Sequence, residues 1–331
     1  MKNRIILIGS LLFMWLATST AVFAEQVVIA VPGPGSLTYL PVYLAKAIGA
    51  DQAEGIVLKL RYVSGGPLAL RDLHDKNSDF SVAGLPAIAA ARADRSPIVA
   101  IAQLSRSAMY VFLLRSDLNS KVHNIAQLKG KRIGVTTGTS TGRSMGHMMM
   151  EYLIHRAGLN NSDVQFVSVG QNRETQSAAL LSGTVDALMG DEPFASELVA
   201  KGVAVKLADL YLPENSEKLL GGPVVHAALA TREEVLLQYP DTVKKVQRMF
   251  DRTLLWLAQH TGQETMEQLS GQPGYIPEKG KLLSGILQRN HGMFPKVGKW
   301  DGTAVETTER FFHSTAIDPE EINLSFSSFV R

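Results

Sequence analysis

The sequence predicts an α/β protein built as two lobes. Short apolar, β-branched runs alternate with segments of helical period, which argues for parallel sheets flanked by helices. Glycine and proline clusters punctuate the ends of the runs, as turns require. A chain of 331 residues is also long for a single core and suits about two.

The N-terminal stretch stands apart from the fold. Lys2 and Arg4 open it, an apolar run over 5–16 follows, and Val22 and Ala24 fit the −3 and −1 positions before a cut. That pattern predicts a cleaved export signal over residues 1–24. The run is shorter than the about 20 residues a membrane span needs. Strands are then expected at 26–31, 56–63, 80–83, 98–104 and 110–114, with helices at 41–48, 68–74 and 87–92 between them. A new unit begins near Ser116. It holds a short helix at 125–128, strands at 131–135, 164–169, 187–189 and 203–207, and helices at 144–157 and 175–181. After Gly221-Gly222-Pro223 a strand is expected at 224–230, followed by helices at 233–239, 242–260 and 281–289. The lobes are therefore expected to be discontinuous, 25–115 plus 225–331 against 116–224, with hinges near 114–118 and 222–226.

Composition excludes several function classes. Lys2 and Arg4 account for the formal charge of +2, so the remaining chain is neutral, unlike a nucleic-acid binder. Cysteine is absent, which excludes disulfides, thiol catalysis, cysteine-ligated metals and a lipoprotein anchor. Neither metal nor cofactor is expected, and the working unit is expected to be a monomer.

The sharpest local motif is Gly138-Thr139-Ser140-Thr141-Gly142, between a strand and a helix. Ser140 or Thr141 can cap the helix, and free N–H groups there would also bind an anion. The same residues spell G-x-S-x-G, so Ser140 is also the candidate nucleophile of a secreted hydrolase, with Glu192 and His226 or His291 as later partners. Against that, Thr136 and Thr137 separate the strand from the first glycine, and Ser64-Gly65-Gly66 lacks the histidine of an oxyanion segment. His147, Glu151 and His155 are four apart on the next helix. Its two histidines lie about 12 Å apart along the axis, too far to share one ion, so a solvated face opposite Met145, Met148 and Met149 is the expectation. Asp191-Glu192-Pro193 ends a short strand, where open α/β sheets bind ligands; Tyr39 can offer a stacking face.

A series of phrases in fixed order gives a family resemblance. Leu40-Pro41-Val42-Tyr43-Leu44-Ala45-Lys46, Ser64-Gly65-Gly66-Pro67, Asp79-Phe80-Ser81-Val82-Ala83-Gly84, 128–135 before the Ser/Thr loop, and 179–187 leading into Glu192-Pro193 resemble ABC-importer binding proteins for aliphatic sulfonates, taurine and nitrate, with their thiamine-pyrimidine-precursor relatives. The resemblance implies the periplasmic-binding-protein fold, two α/β lobes joined by hinge strands and closing on one solute. It implies cleft contacts from Ser36, Tyr39, Gly65, Gly66, Gly84, Leu85, Ser140, Thr141, Gly142, Gln171, Asn172 and Glu192, and importer membrane subunits as partners. A sulfonate-like cargo leads. Arg106, Arg143 and Arg173 are only near the loops, however, and Glu192 opposes an anion unless it faces away, so an amine or pyrimidine ligand, or a sensor partner, stays open.

Overall fold

Two five-stranded sheets carry the fold, and both insert an antiparallel strand at the same place. In a computed structural model the described residues are 24–136, 144–170, 172–272 and 277–331. The expected export signal (save Ala24), the Gly138–Gly142 loop with Ser140 and Thr141, Arg143 and Gln171 lie outside them. The strands in chain order are β1 (Glu25–Pro32), β2 (Ile56–Val63), β3 (Phe80–Ala83), β4 (Ile98–Gln103), β5 (Tyr110–Arg115), β6 (Arg132–Val135), β7 (Gln165–Ser168), β8 (Ala187–Asp191), β9 (Ala204–Asp209) and β10 (Ala228–Arg232). The first sheet runs β2-β1-β3-β10-β4 and the second β7-β6-β8-β5-β9. β1 pairs parallel with β2 and β3, and β6 with β7 and β8. β10 is antiparallel to β3 and β4, and β5 to β8 and β9.

The helices are α1 (Leu40–Ala47), α2 (Ala50–Ala53), α3 (Gly66–His74), α4 (Leu85–Ala93), α5 (Met145–Arg156), α6 (Arg173–Leu181), α7 (Phe194–Ala200), α8 (Pro213–Leu220), α9 (Glu233–Gln238), α10 (Pro240–Gln259), α11 (Gly262–Gln268), α12 (Pro277–Arg289), α13 (Gly302–Ser314) and α14 (Pro319–Asn323). None among the described residues is long and apolar enough to cross a membrane. Every residue of β3 and β4 is buried, as expected of strands covered on both faces. α10 lays Val243, Val246, Met249, Phe250 and Leu254 toward the core, a stripe at helical spacing.

The first hinge differs from expectation. Residues 110–115 belong to the second sheet, because β5 satisfies its backbone groups between β8 and β9. The chain therefore crosses first at 104–109, not at 114–118. It returns at 221–227, and the expected strand at 224–230 begins only at Ala228. The two crossings are stitched together. The Ser105 hydroxyl accepts the amides of His226 (3.0 Å) and Ala227 (2.7 Å), and the Leu104 amide donates to the Ala227 carbonyl at 2.9 Å. Elsewhere, the Leu37 amide of the first lobe donates to the Glu192 carbonyl of the second at 3.0 Å.

Candidate ligand-binding cleft

The parallel strands of both sheets end on one cleft of about 610 Å³ between the lobes. That is a volume suited to a small organic ligand. The site lies beyond the carboxyl ends of the strands, where helix N-termini converge. The first lobe supplies Pro32 to Pro34 at the end of β1, Ser36, Thr38 and Tyr39 before α1, Tyr62 to Pro67 from the end of β2 into α3, and Gly84 with Ala87 around the start of α4. The second supplies Tyr110 at the start of β5, Thr136, Ser144, Met145 and Gly146 around the start of α5, Asn172 to Glu174 and Gln176 at α6, and Met189 with Asp191 on β8. His226, on the return crossing, completes the lining.

Two glycines are needed for specific reasons. Gly65 has φ 103°, a left-handed conformation that side chains rarely adopt, and it opens α3 toward the cleft. Gly84 lets the lobes approach. A Cβ there would lie 2.7 Å from the Met145 sulfur across the cleft.

Several hydrogen-bond donors gather in the lining at helix starts. The amides of Gly66, Met145, Gly146, Arg173 and Glu174 stand in first helical turns and have no acceptor among the described residues. Ser144 caps α5 by accepting from the His147 amide at 3.2 Å, so the cap is Ser144 and not Ser140 or Thr141: the helix starts only at Met145. Its hydroxyl also meets the hydroxyl of Thr136 and donates to the Thr136 carbonyl. Asn172 caps α6 through the Thr175 amide.

The charges are few and sit on one wall. Arg173 donates from Nη2 to Asp191 at 3.0 Å, and its guanidinium lies 5.9 Å from the centre of the Phe194 ring. The Asp191 charge raises the Arg173 pKa further. Burial pushes the Tyr39 and Tyr110 phenols up, and Asp191 adds to it, so both stay neutral hydroxyls. His226 is deeply buried, and burial lowers its pKa to about 3. Its Nδ1 accepts the Met109 amide at 2.9 Å, and its ring lies 4.3 Å from that of Tyr110.

The expected site residues divide. Ser36, Tyr39, Gly65, Gly66, Gly84 and Asn172 line the cleft. Leu85 is fully buried beneath it, its amide bonded to the Val225 carbonyl. Glu192 is fully buried and faces away. Its carboxylate accepts from the Ser196 amide (3.1 Å) and hydroxyl (2.8 Å), with Lys206 Nζ at 4.0 Å. Burial raises its pKa. The carboxylate that would have opposed an anion is thus turned from the site. Arg106 pairs with Asp301. Asp191, of the expected Asp191–Glu192 loop, lines the cleft, and so does Arg173 beside the expected loop at Asn172; Tyr110 and His226 enter the lining from outside the expected loops.

Ser140 lies outside the described residues, so only the nominated partners Glu192 and His226 can be placed. Glu192 serves Ser196 rather than a histidine, and His226 Nδ1 is already an acceptor, leaving its proton on Nε2. The expectation of a solvated face at His147, Glu151 and His155 holds only for His155. Glu151 is buried because the turn at Asn161 and β7 cover it, with Asn161 donating to its carboxylate at 3.1 Å and the His147 ring 5.3 Å from that of Phe166. No group of metal-ligating side chains occurs among the described residues.

Comparison with known proteins agrees with this architecture. The family model described as NMT1/THI5 like matches residues 37–263. The chain belongs to the NMT1/THI5-like family. It has the periplasmic-binding-protein fold. A solved protein of Bordetella bronchiseptica RB50 superposes with TM-score 0.80 at 22% identity, covering 93% of this chain and 94% of that one. The alkanesulfonate-binding protein SsuA of Xanthomonas axonopodis pv. citri, bound to MOPS, gives TM-score 0.68 at 18% identity over 88% and 93%. The Bacillus subtilis (strain 168) protein named "Putative binding protein YtlA" is 23% identical over 242 residues, 72% of this chain and 68% of that protein. The desulfurization enzyme DSZB also shares the fold, at TM-score 0.57, 19% identity and 88% and 92% coverage. Fold alone therefore does not separate binding from catalysis.

Proposed function

We propose that this protein binds a small, acceptor-rich organic solute, sulfonate-like in the leading case, and hands it to an ABC importer by closing its lobes. The observation that carries the reading is the lining of the cleft: helix-start amides from both lobes, without acceptors among the described residues, belong to residues around one space, while Glu192 is turned away and Asp191 is held by Arg173. Such donors suit sulfonyl or carboxylate oxygens, and the walls of Tyr39, Tyr62 and Tyr110 suit an organic body. The fold it shares with SsuA, which holds MOPS, supports the same class. Binding without chemistry is favoured over hydrolysis because His226 offers no free lone pair to a nucleophile and Glu192 does not orient it.

Thermal melting of protein stripped of carried-over ligand tests this against ethanesulfonate, taurine, nitrate, pyrimidine and ethylammonium. A sulfonate at a hundredfold excess over Kd is expected to stabilise by about 2.7 kcal/mol. Stabilisation by ethylammonium alone would reverse the charge assignment, and no shift with any solute would sink the binding reading. Labelling of Ser140 by a fluorophosphonate, lost in Ser140→Ala, would favour the hydrolase instead.

A further inference from the structure

His226 does more than fill the floor of the cleft. Its backbone N–H and its ring Nδ1 both have partners. Its backbone amide donates to the Ser105 hydroxyl, and its Nδ1 accepts from the Met109 amide at 2.9 Å. Ser105 and Met109 both belong to the outgoing crossing, while His226 belongs to the returning one. A neutral imidazole with an acceptor Nδ1 must carry its hydrogen on Nε2. No described protein group accepts from that nitrogen, and the residue lines the cleft. The ring cannot rotate to exchange its nitrogens without breaking the Met109 bond and its packing on Tyr110.

We propose that His226 is the specificity-determining donor of the cleft, a fixed Nε2–H that admits ligands presenting a hydrogen-bond acceptor at the floor and rejects those presenting an N–H there, and that it links the bound acceptor to both chain crossings. The inference rests on the binding reading and deepens it. A donor facing a donor at a desolvated site leaves both unpaired, which makes discrimination strong. The link to the crossings follows from position: occupying Nε2 polarises a ring whose other nitrogen and backbone hold the outgoing strand.

Ring 1H–15N correlation in the full-length 15N-labelled protein tests this, with the His226 signals identified by their loss in His226→Gln. Nε2 is expected to be protonated and Nδ1 bare before any solute is added. Ethanesulfonate, nitrate and pyrimidine carry acceptors and no N–H; whichever of them binds is expected to shift the Nε2–H signal, whereas ethylammonium leaves it unmoved. His226→Phe keeps a ring against Tyr110 without a donor. It is expected to weaken the best of the three acceptor probes at least tenfold, and His226→Gln, which can present an N–H near the same place, less. A proton on Nδ1 overturns the inference, and so does a probe that shifts the Arg173 side-chain signal while leaving Nε2–H still. Both results leave the binding reading standing, and both are read on wild-type protein, whatever the variants' stability. If no probe moves any cleft signal, the binding reading falls and takes the inference with it.

Discussion

The two lobes share a sheet topology strand for strand, yet their walls of the cleft differ in chemistry. The first-lobe wall, with the crossing residue His226, holds serines, a threonine, tyrosines, glycines and prolines and no formal charge. Every charged residue of the described lining, Arg173, Glu174 and Asp191, stands on the second. The same strand order therefore carries two differently charged walls. On the proposed reading, the neutral wall would shape the ligand and offer donors. The charged wall would set which sign of charge is tolerated, through a pair whose balance one substitution can tip.

The neutrality of the first wall predicts the largest effect. Folded His226 titrates at about 3, far below its ordinary 6.5, because burial disfavours the cation. Between those values the unfolded chain takes a proton that the folded one refuses, so stability is complete above pH 6.5 and falls as pH drops toward 3. The slope approaches about 1.4 kcal/mol per pH unit. Urea melts of wild type and His226→Gln at pH 7, 5.5 and 4 should show the variant losing several kcal/mol less on acidification. Parallel pH profiles would mean that the ring is not buried neutral.

Next in size is the charged wall. Arg173→Ala leaves the Asp191 carboxylate uncompensated in the cleft and is expected to weaken ethanesulfonate binding by about a hundredfold, some 2.7 kcal/mol in calorimetry. Asp191→Asn frees the guanidinium and is expected to tighten it. The opposite signs in this pair would transfer the preference to cations. Gly84→Ala sets a methyl against Met145 across the cleft, with an expected loss of about tenfold in affinity and little change in the unliganded melt; Met145→Ala in the same chain should restore part of it. The smallest effect lies behind the wall. Ser196→Ala removes one hydroxyl bond to Glu192 and should cost about 1 kcal/mol in a urea melt while leaving ethanesulfonate affinity unchanged. A change in affinity there would return Glu192 to the ligand.

Much of the fold was legible because its local signals agree. Residues 26–31 and 98–104 are mostly β-branched or apolar runs closed by Pro32 and Ser105, and 56–63 is a strand-like segment interrupted by Lys59 and Arg61 and closed by Ser64; they fold close to those bounds as β1, β4 and β2. α13 was not legible. Its buried face includes Thr307 and Thr308, which read as polar, yet Thr308 returns its hydroxyl to the Ala304 carbonyl and accepts the Val225 amide. The identity of β5 was hidden too: a strand's own residues say that it pairs, not with which sheet. In the site, the glycine and serine loops were legible as turns. Glu192 misled because its carboxylate folds back on the first turn of α7, onto the Ser196 amide and hydroxyl, with Lys206 of β9 nearby, and a loop at a strand end did not announce that turn. His226 showed no periodic or motif signal beyond a nominal triad order. Its acceptor role depends on Met109, over a hundred residues away in sequence.

The insertion of β10 between β3 and β4 also dictates an order of assembly. The second sheet is drawn from one uninterrupted stretch, β5 to β9, and can complete itself as soon as that stretch is available. The first sheet cannot. Until residues 228–232 arrive, β3 and β4 flank an empty slot, each with an edge of unpaired backbone groups. Closing that slot joins segments far apart in sequence, the kind of non-local pairing that slows folding in general. The lobe that begins first in the chain is thus the one whose sheet is completed last in sequence.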